Sequence, residues 1–189
     1  AFEKELIAYN RQIVEEGNKK QKLIILLAGR PYHSDPLVQH KISNMISAMG
    51  VYIITDDIVR RQDIPLKEVN FLAQWAFTNR ILKSAKWAAQ QGNHVQYMQL
   101  TSFGCGPDAF LIDEIRTLLK QYNKNLTLLK IDDVSNTGSI KLRVRSLVES
   151  LHISLQQAEE RQLQKPLSLP PFTKKDRKKK IIMICLFVQ

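Results

Sequence analysis

The sequence predicts an α/β domain built on a parallel sheet of four strands, or slightly more, flanked by helices. Two observations carry this. Short apolar runs of strand length alternate with longer segments of helical periodicity, which is the pattern of a sheet covered on both faces. The first run, Lys22 to Ala28 (K-L-I-I-L-L-A), is also almost continuously apolar, as a strand buried on both faces must be.

The elements follow in order. Phe2, Leu6, Tyr9 and Ile13 recur at steps of three and four, so residues 1–16 read as a helix, with Gly17 as its stop. After the first strand comes the loop Gly29-Arg30-Pro31-Tyr32-His33-Ser34-Asp35-Pro36. Asp35 can cap the next helix with Pro36 in its first turn, and Val38, Ile42, Met45 and Met49 mark that helix up to Gly50. Val51 to Thr55 is the second strand and ends in Asp56-Asp57. Ile58 to Pro65 reads as loop, and Val69 to Phe77 has helix-like spacing without a clean stripe. A helix from Thr78 or Asn79 carries Ile81, Leu82, Ala85 and Ala89 to Gly92.

The third strand, Val95 to Leu100, leads into Thr101-Ser102-Phe103-Gly104-Cys105-Gly106-Pro107-Asp108 and a helix from Ala109 to Tyr122. Leu126 to Ile131 is the fourth strand, followed by Asp132-Asp133. Residues 139–160 form a last helix, because Ile140, Val144, Leu147 and Leu151 outweigh the strand-like alternation of 140–145. The expected organisation is an α/β domain over 1–160 and a Pro- and Lys-rich linker over 161–180. An apolar stretch at 181–189 would begin a further strand or domain of a longer protein.

Charge excludes one class of partner. The net charge is +10, but residues 161–189 hold eight Lys or Arg and one Asp, or +7. The other 160 residues carry 20 basic and 17 acidic side chains, or +3. The body thus lacks the basic, aromatic-interleaved face of a nucleic-acid binder. No apolar run approaches the roughly 20 residues that span a bilayer. Two cysteines make no disulfide framework, so a reducing cytoplasm is expected.

The polar loops all fall at the carboxyl ends of the strands, where ligands of such sheets bind. Cys105 stands between two glycines at the mouth of a helix, whose dipole favours the thiolate that binds metal or attacks electrophiles. Gly104 and Gly106 leave room for a bulky group, and Asp108 lies beside the positive helix end. His33 is a candidate proton carrier or ligand, and Arg30 a candidate fork for phosphate or carboxylate. The plain alternatives are a packed cysteine, a loop histidine bonded to backbone, and an Arg30 ion pair with Asp56 or Asp132. His40, His94 and His152 read as structural, Asp132-Asp133 as capping, and Trp75 and Trp87 as core or interface. Neither G-x-G-x-x-G nor G-x-x-x-x-G-K-[ST] occurs, so neither a classical dinucleotide site nor a P-loop is supported.

Five stretches resemble one family. They are L-A-G-R-P-Y-H-S-D-P (27–36), N-R-I-L (79–82), S-F-G-C-G-P-D-A (102–109), L-K-I-D-D (129–133) and R-V-R-S-L (143–147). They resemble the large CoA-substrate-specific enzyme activases of anaerobes, whose later regions are similar to 2-hydroxyacyl-CoA dehydratase components. The resemblance covers about Leu23 to Leu151 and implies a Rossmann-like or flavodoxin-like domain within a multidomain protein. It further implies that Cys105 is a ligand of an iron–sulfur cluster, with His33 and Arg30 nearby as weak catalytic candidates. Gly104, Gly106 and Asp108 would be cofactor-binding. One cysteine cannot hold a cluster alone, so its co-ligands would come from other domains of the same polypeptide. A dehydratase component and an acyl-CoA are the further partners implied. Two other readings stay open: a scaffold or docking module with a packed Cys105, and a thiol enzyme pairing Cys105 with His33.

Overall fold

The computed structural model describes residues 2–67, 69, 75–102, 106–131 and 137–163. Among them lie four strands and five α-helices: α1 (Phe2–Lys19), β1 (Ile24–Ala28), α2 (Ile42–Ala48), β2 (Tyr52–Thr55), α3 (Ala76–Gln90), β3 (Val95–Thr101), α4 (Gly106–Gln121), β4 (Thr127–Lys130) and α5 (Thr137–Leu163). Short 3-10 helices at Pro31–Ser34 and Asp56–Val59 follow β1 and β2. The strands form one all-parallel sheet in the order β2-β1-β3-β4. This is the α/β class the sequence predicts, in the flavodoxin-like arrangement. Residues 1–155 form one compact unit and 156–189 a second, of which only the end of α5 is described.

Strand alternation divides the core. Ile24, Leu26, Ile54, Val95 and Tyr97 face the layer that holds Ile81, Leu82 and Ala85 of α3 and Leu111, Ile115 and Leu118 of α4. Ile25, Leu27, Met98, Leu100 and Leu129 face the other, with Ile42 and Ile46 of α2 and Val144 and Val148 of α5. All five residues of β1 are buried, because β1 is paired on both edges and covered on both faces. The helix at 139–160, chosen over a strand, is α5.

Three expectations need correcting. The stripe of α1 is rotated: Phe2 and Tyr9 are exposed, while Ile7, Asn10 and Gly17 are buried. The cause is that α1 covers the free edge of β2. The Asn10 side chain accepts from the Thr55 N–H at 2.8 Å, satisfying an edge donor that the sheet leaves unpaired. Gly17 does not stop the helix, which runs on to Lys19; it lets α1 approach β1. A Cβ there would sit 2.7 Å from the Ile24 Cδ1 atom. Third, Asp35 does accept from Leu37 N–H (2.7 Å) and Val38 N–H (3.3 Å), but the turn it caps is not the helix. His40 and Lys41 take left-handed angles (φ 51° and 58°), and α2 begins only after them. Trp75, expected in a core or interface, is half exposed, whereas Trp87 packs on the α3–α4 side. The linker expected from residue 161 begins inside α5, which runs on to Leu163; Asp132-Asp133, the rest of the linker and the apolar stretch at 181–189 lie outside the described residues.

The Gly17 contact makes a prediction. Gly17→Ala gains helix propensity of about 1 kcal/mol, yet pushes a methyl against the fully buried Ile24 side chain, costing about 1–3 kcal/mol. The overpacking should win. Chemical denaturation is expected to show a net loss of up to about 2 kcal/mol, and a more stable variant would refute the close approach.

Candidate functional site at the carboxyl edge of the sheet

In the order β2-β1-β3-β4 the chain first steps from β1 to one side and later continues on the other. The switch point lies between β1 and β3, and the crevice beyond those strand ends is where parallel sheets place ligands. The loop after β1 supplies Arg30 and His33 to this place. The segment after β3 supplies Ser102, and the first turn of α4 supplies Gly106 and Asp108.

The β1 loop makes two grips. In the first, the Arg30 backbone N–H donates to His33 Nδ1 at 3.1 Å. That nitrogen must therefore be unprotonated, so in the neutral ring the hydrogen sits on Nε2 and is donated to Ser102 Oγ at 2.7 Å. His33 is buried, and burial draws its pKa below the ordinary imidazole value; the Asp108 carboxylate opposes this and the Arg30 cation adds to it. The ring packs over Gly29, where a Cβ would lie 2.7 Å from Nδ1, so a glycine is required at that position. In the second grip, Arg30 Nε donates to Asp108 Oδ1 (3.1 Å) and its NH2 donates to the same oxygen (2.5 Å), with Oδ2 at 3.4 Å from Nε. Asp108 also lies where the positive end of the α4 dipole favours its charge. Arg30 is thus paired with Asp108, while Asp56 is held by Arg80, and Asp132 lies outside the described residues.

Asp56 has its own partner. Arg80 of α3 donates from Nε to Asp56 Oδ2 at 2.6 Å and lies 3.7 Å from Asp57 through NH1. Arg60 links Asp57 to Glu3 of α1. Burial raises the Asp56 carboxyl to about 6, against the opposing pull of Arg80.

The structure therefore brings Arg30, His33, Gly106 and Asp108 to one edge. Gly104 and Cys105 lie outside the described residues. Sequence reasoning missed the roles of Ser102, Gly29 and the Asp56–Arg80 pair. Ser102 and Asp56 were visible as strand-end residues, and Arg80 lay within the N-R-I-L stretch. Nothing in the pattern joined them across 69 and 24 residues. Among the described residues no three His, Cys, Asp or Glu side chains converge as a metal site, and no helix is long and apolar enough to cross a membrane.

Comparison with known proteins adds one finding. No curated protein and no solved structure matches the chain. Residues 1–59, which hold α1, β1, the Arg30–His33 loop, α2 and β2, match the model of a family described as "CoA enzyme activase uncharacterised domain", and over that segment the chain is similar to that family.

Proposed function

We propose that this chain is an α/β domain of a CoA enzyme activase-related iron–sulfur protein, to which Cys105 contributes one cluster ligand. The observation that carries the reading is the double grip of the β1 loop. It holds Ser102, three residues before Cys105 in sequence, and Asp108, three residues after it. Both holding residues belong to the segment that matches the activase family. A cysteine whose flanks are fixed at a switch point suits a role that demands position.

The described side chains do not make a cluster site by themselves. Iron–sulfur clusters take thiolates, and no such donor set is present among the described residues. On this reading the remaining ligands come from other domains of the same polypeptide, and the site lies at a domain interface. When bound, a cluster would supply one-electron transfer. This chain's own contribution is to hold the cysteine turn. An acyl-CoA and a dehydratase component are the partners that fit, in a reducing cytoplasm.

One observation favours a different reading. His33 is 2% exposed, with both ring nitrogens occupied, and Arg30 is committed to Asp108. Such a closed network also suits a non-catalytic docking module with a packed Cys105. The test is to express the longest natural protein containing this segment under strict anaerobiosis and to measure iron, sulfide and the visible spectrum. The expected result is a cluster in the parent that is lost in a folded Cys105→Ser variant. Full iron content in that variant would overturn the ligand role and leave the docking module.

A further inference from the structure

A cavity of about 490 Å³ opens over the carboxyl ends of β1, β2 and β3, and its lining includes none of Ser102, Gly106 or Asp108. That volume lies in the range of small-molecule sites, about 300–1,000 Å³. The sheet contributes Leu27 from β1, Ile53 from β2 and Leu100 from β3, all on the face shared with α2 and α5. Leu6 of α1 and Pro31 and Pro36 of the β1 loop add further apolar surface. Beside them the chain turns over 36–41, and His40 and Lys41 hold left-handed angles that residues with a Cβ rarely adopt. Backbone strain of this kind clusters at ligand sites.

We propose that this cavity binds a small uncharged molecule made of an alkyl chain and a carbonyl group. Charge selects the first property. Each arginine in the lining already has a carboxylate partner: Arg30 has Asp108, Arg80 has Asp56 and Asp57, and Arg60 has Asp57 and Glu3. Asp56 and Asp57, the lining carboxylates, are taken up by the same pairs. An ionic ligand would have to break one of them and strand a charge with little access to water. The His33 ring offers no alternative, because both of its nitrogens are bonded within the protein.

Gln39 selects the carbonyl. It lines the cavity and is 4% exposed. Its Oε1 accepts from the Ser43 N–H at 3.1 Å, which fixes the orientation of the amide and leaves Nε2 with two hydrogens to donate. Nε2 meets the Ser34 carbonyl at 3.5 Å, longer than an ordinary hydrogen bond. A buried donor so weakly used gains from a further acceptor. A ligand carbonyl supplies one without bringing a donor of its own into apolar surroundings. This site does not depend on the reading of Cys105.

The test uses the whole chain and four probes, methyl hexanoate, hexanoate, hexylammonium and cyclohexane, with binding followed by methyl and amide chemical shifts. Methyl hexanoate is expected to move the methyl signals of Leu27, Ile53 and Leu100 and the side-chain amide of Gln39. It should bind at least about tenfold more tightly than either ion, since each ion must give up its hydration. Gln39→Met keeps the length of the side chain and removes the donor. It should weaken methyl hexanoate about threefold to tenfold, the worth of one hydrogen bond, and leave cyclohexane unchanged. Ser43→Phe, with its fold checked by the amide spectrum, fills the cavity from α2 and should abolish binding of both. Equal or tighter binding of hexanoate or hexylammonium would overturn the uncharged class. Full ester affinity in Gln39→Met would overturn the carbonyl contact, and the absence of shifts at the cavity would overturn the site.

Discussion

A Lys124→Met variant is expected to lose about 2–4 kcal/mol of stability, the cost of stranding the Gln91 and Val95 carbonyls at about 1–3 kcal/mol each, since those of Ala88 and Gly92 also accept backbone N–H groups. Lys124 is 5% exposed, and its ammonium donates to the carbonyls of Ala88 (2.6 Å), Gln91 (2.9 Å), Gly92 (3.0 Å) and Val95 (2.9 Å). The Ala88 and Gln91 oxygens end α3, that of Gly92 lies in the turn after it and that of Val95 opens β3, so one cation from beyond α4 closes the helix end and the turn that follows. An ammonium has three hydrogens for four acceptors, so at least one is shared. Burial draws its pKa down to about 8, which still leaves it charged at pH 7. Burying a charge usually argues that an apolar replacement would serve as well. That argument fails here because the partners are backbone carbonyls, which no substitution removes. Methionine keeps the length of the side chain and satisfies none of them. At roughly 2–4 °C per kcal/mol for a chain of this size, the melting temperature should fall by about 10 °C. Lys124→Arg should fall between, because a planar fork does not match four converging oxygens. A Met variant within 1 kcal/mol of the parent, by chemical denaturation, would show that water fills the place of the ammonium.

Lys124 also shows where sequence reading stops. It sits in Asn123-Lys124-Asn125, a run that signals a polar turn, and lysine is among the residues least often buried. Its role depends on where α3 ends relative to β4, which no local pattern encodes. The same holds for Asn10 and Gly17. Their residue types suggest a solvent face and a helix stop, but α1 lies against an edge strand and needs an amide and a gap at those places. What was legible is what depends on local periodicity: the buried run of β1, the stripes of α4 and α5, and the alternation that makes the sheet parallel. Arg30, His33 and Asp108 were legible as strand-end and helix-start residues. Their pairing was not, because the contact spans 78 residues and depends on β3 lying beside β1.

That contact carries the second large effect. Arg30→Met should cost about 2–4 kcal/mol, somewhat below the 3–5 kcal/mol typical of breaking a fully buried pair. The discount reflects Arg30, whose side chain is 27% exposed, while Asp108 is only 6% exposed. Methionine preserves the packing of the stem and removes the fork. What remains is a carboxylate held off from water, with the α4 dipole as its chief compensation. Removing both charges should recover much of the loss. Arg30→Met combined with Asp108→Leu is therefore expected to be more stable than the sum of the single changes predicts, by at least 1 kcal/mol of coupling. His33 provides an internal control, because its bonds run to Ser102 and the Arg30 backbone rather than to Asp108. His33→Gln should then be nearly additive with Asp108→Leu in a second cycle. Two additive cycles would mean that the fork is a surface contact, and that α4 is positioned by its apolar face alone. Coupling confined to Arg30 and Asp108 would identify a latch that ties the start of α4 to the end of β1, independently of the His33–Ser102 bond.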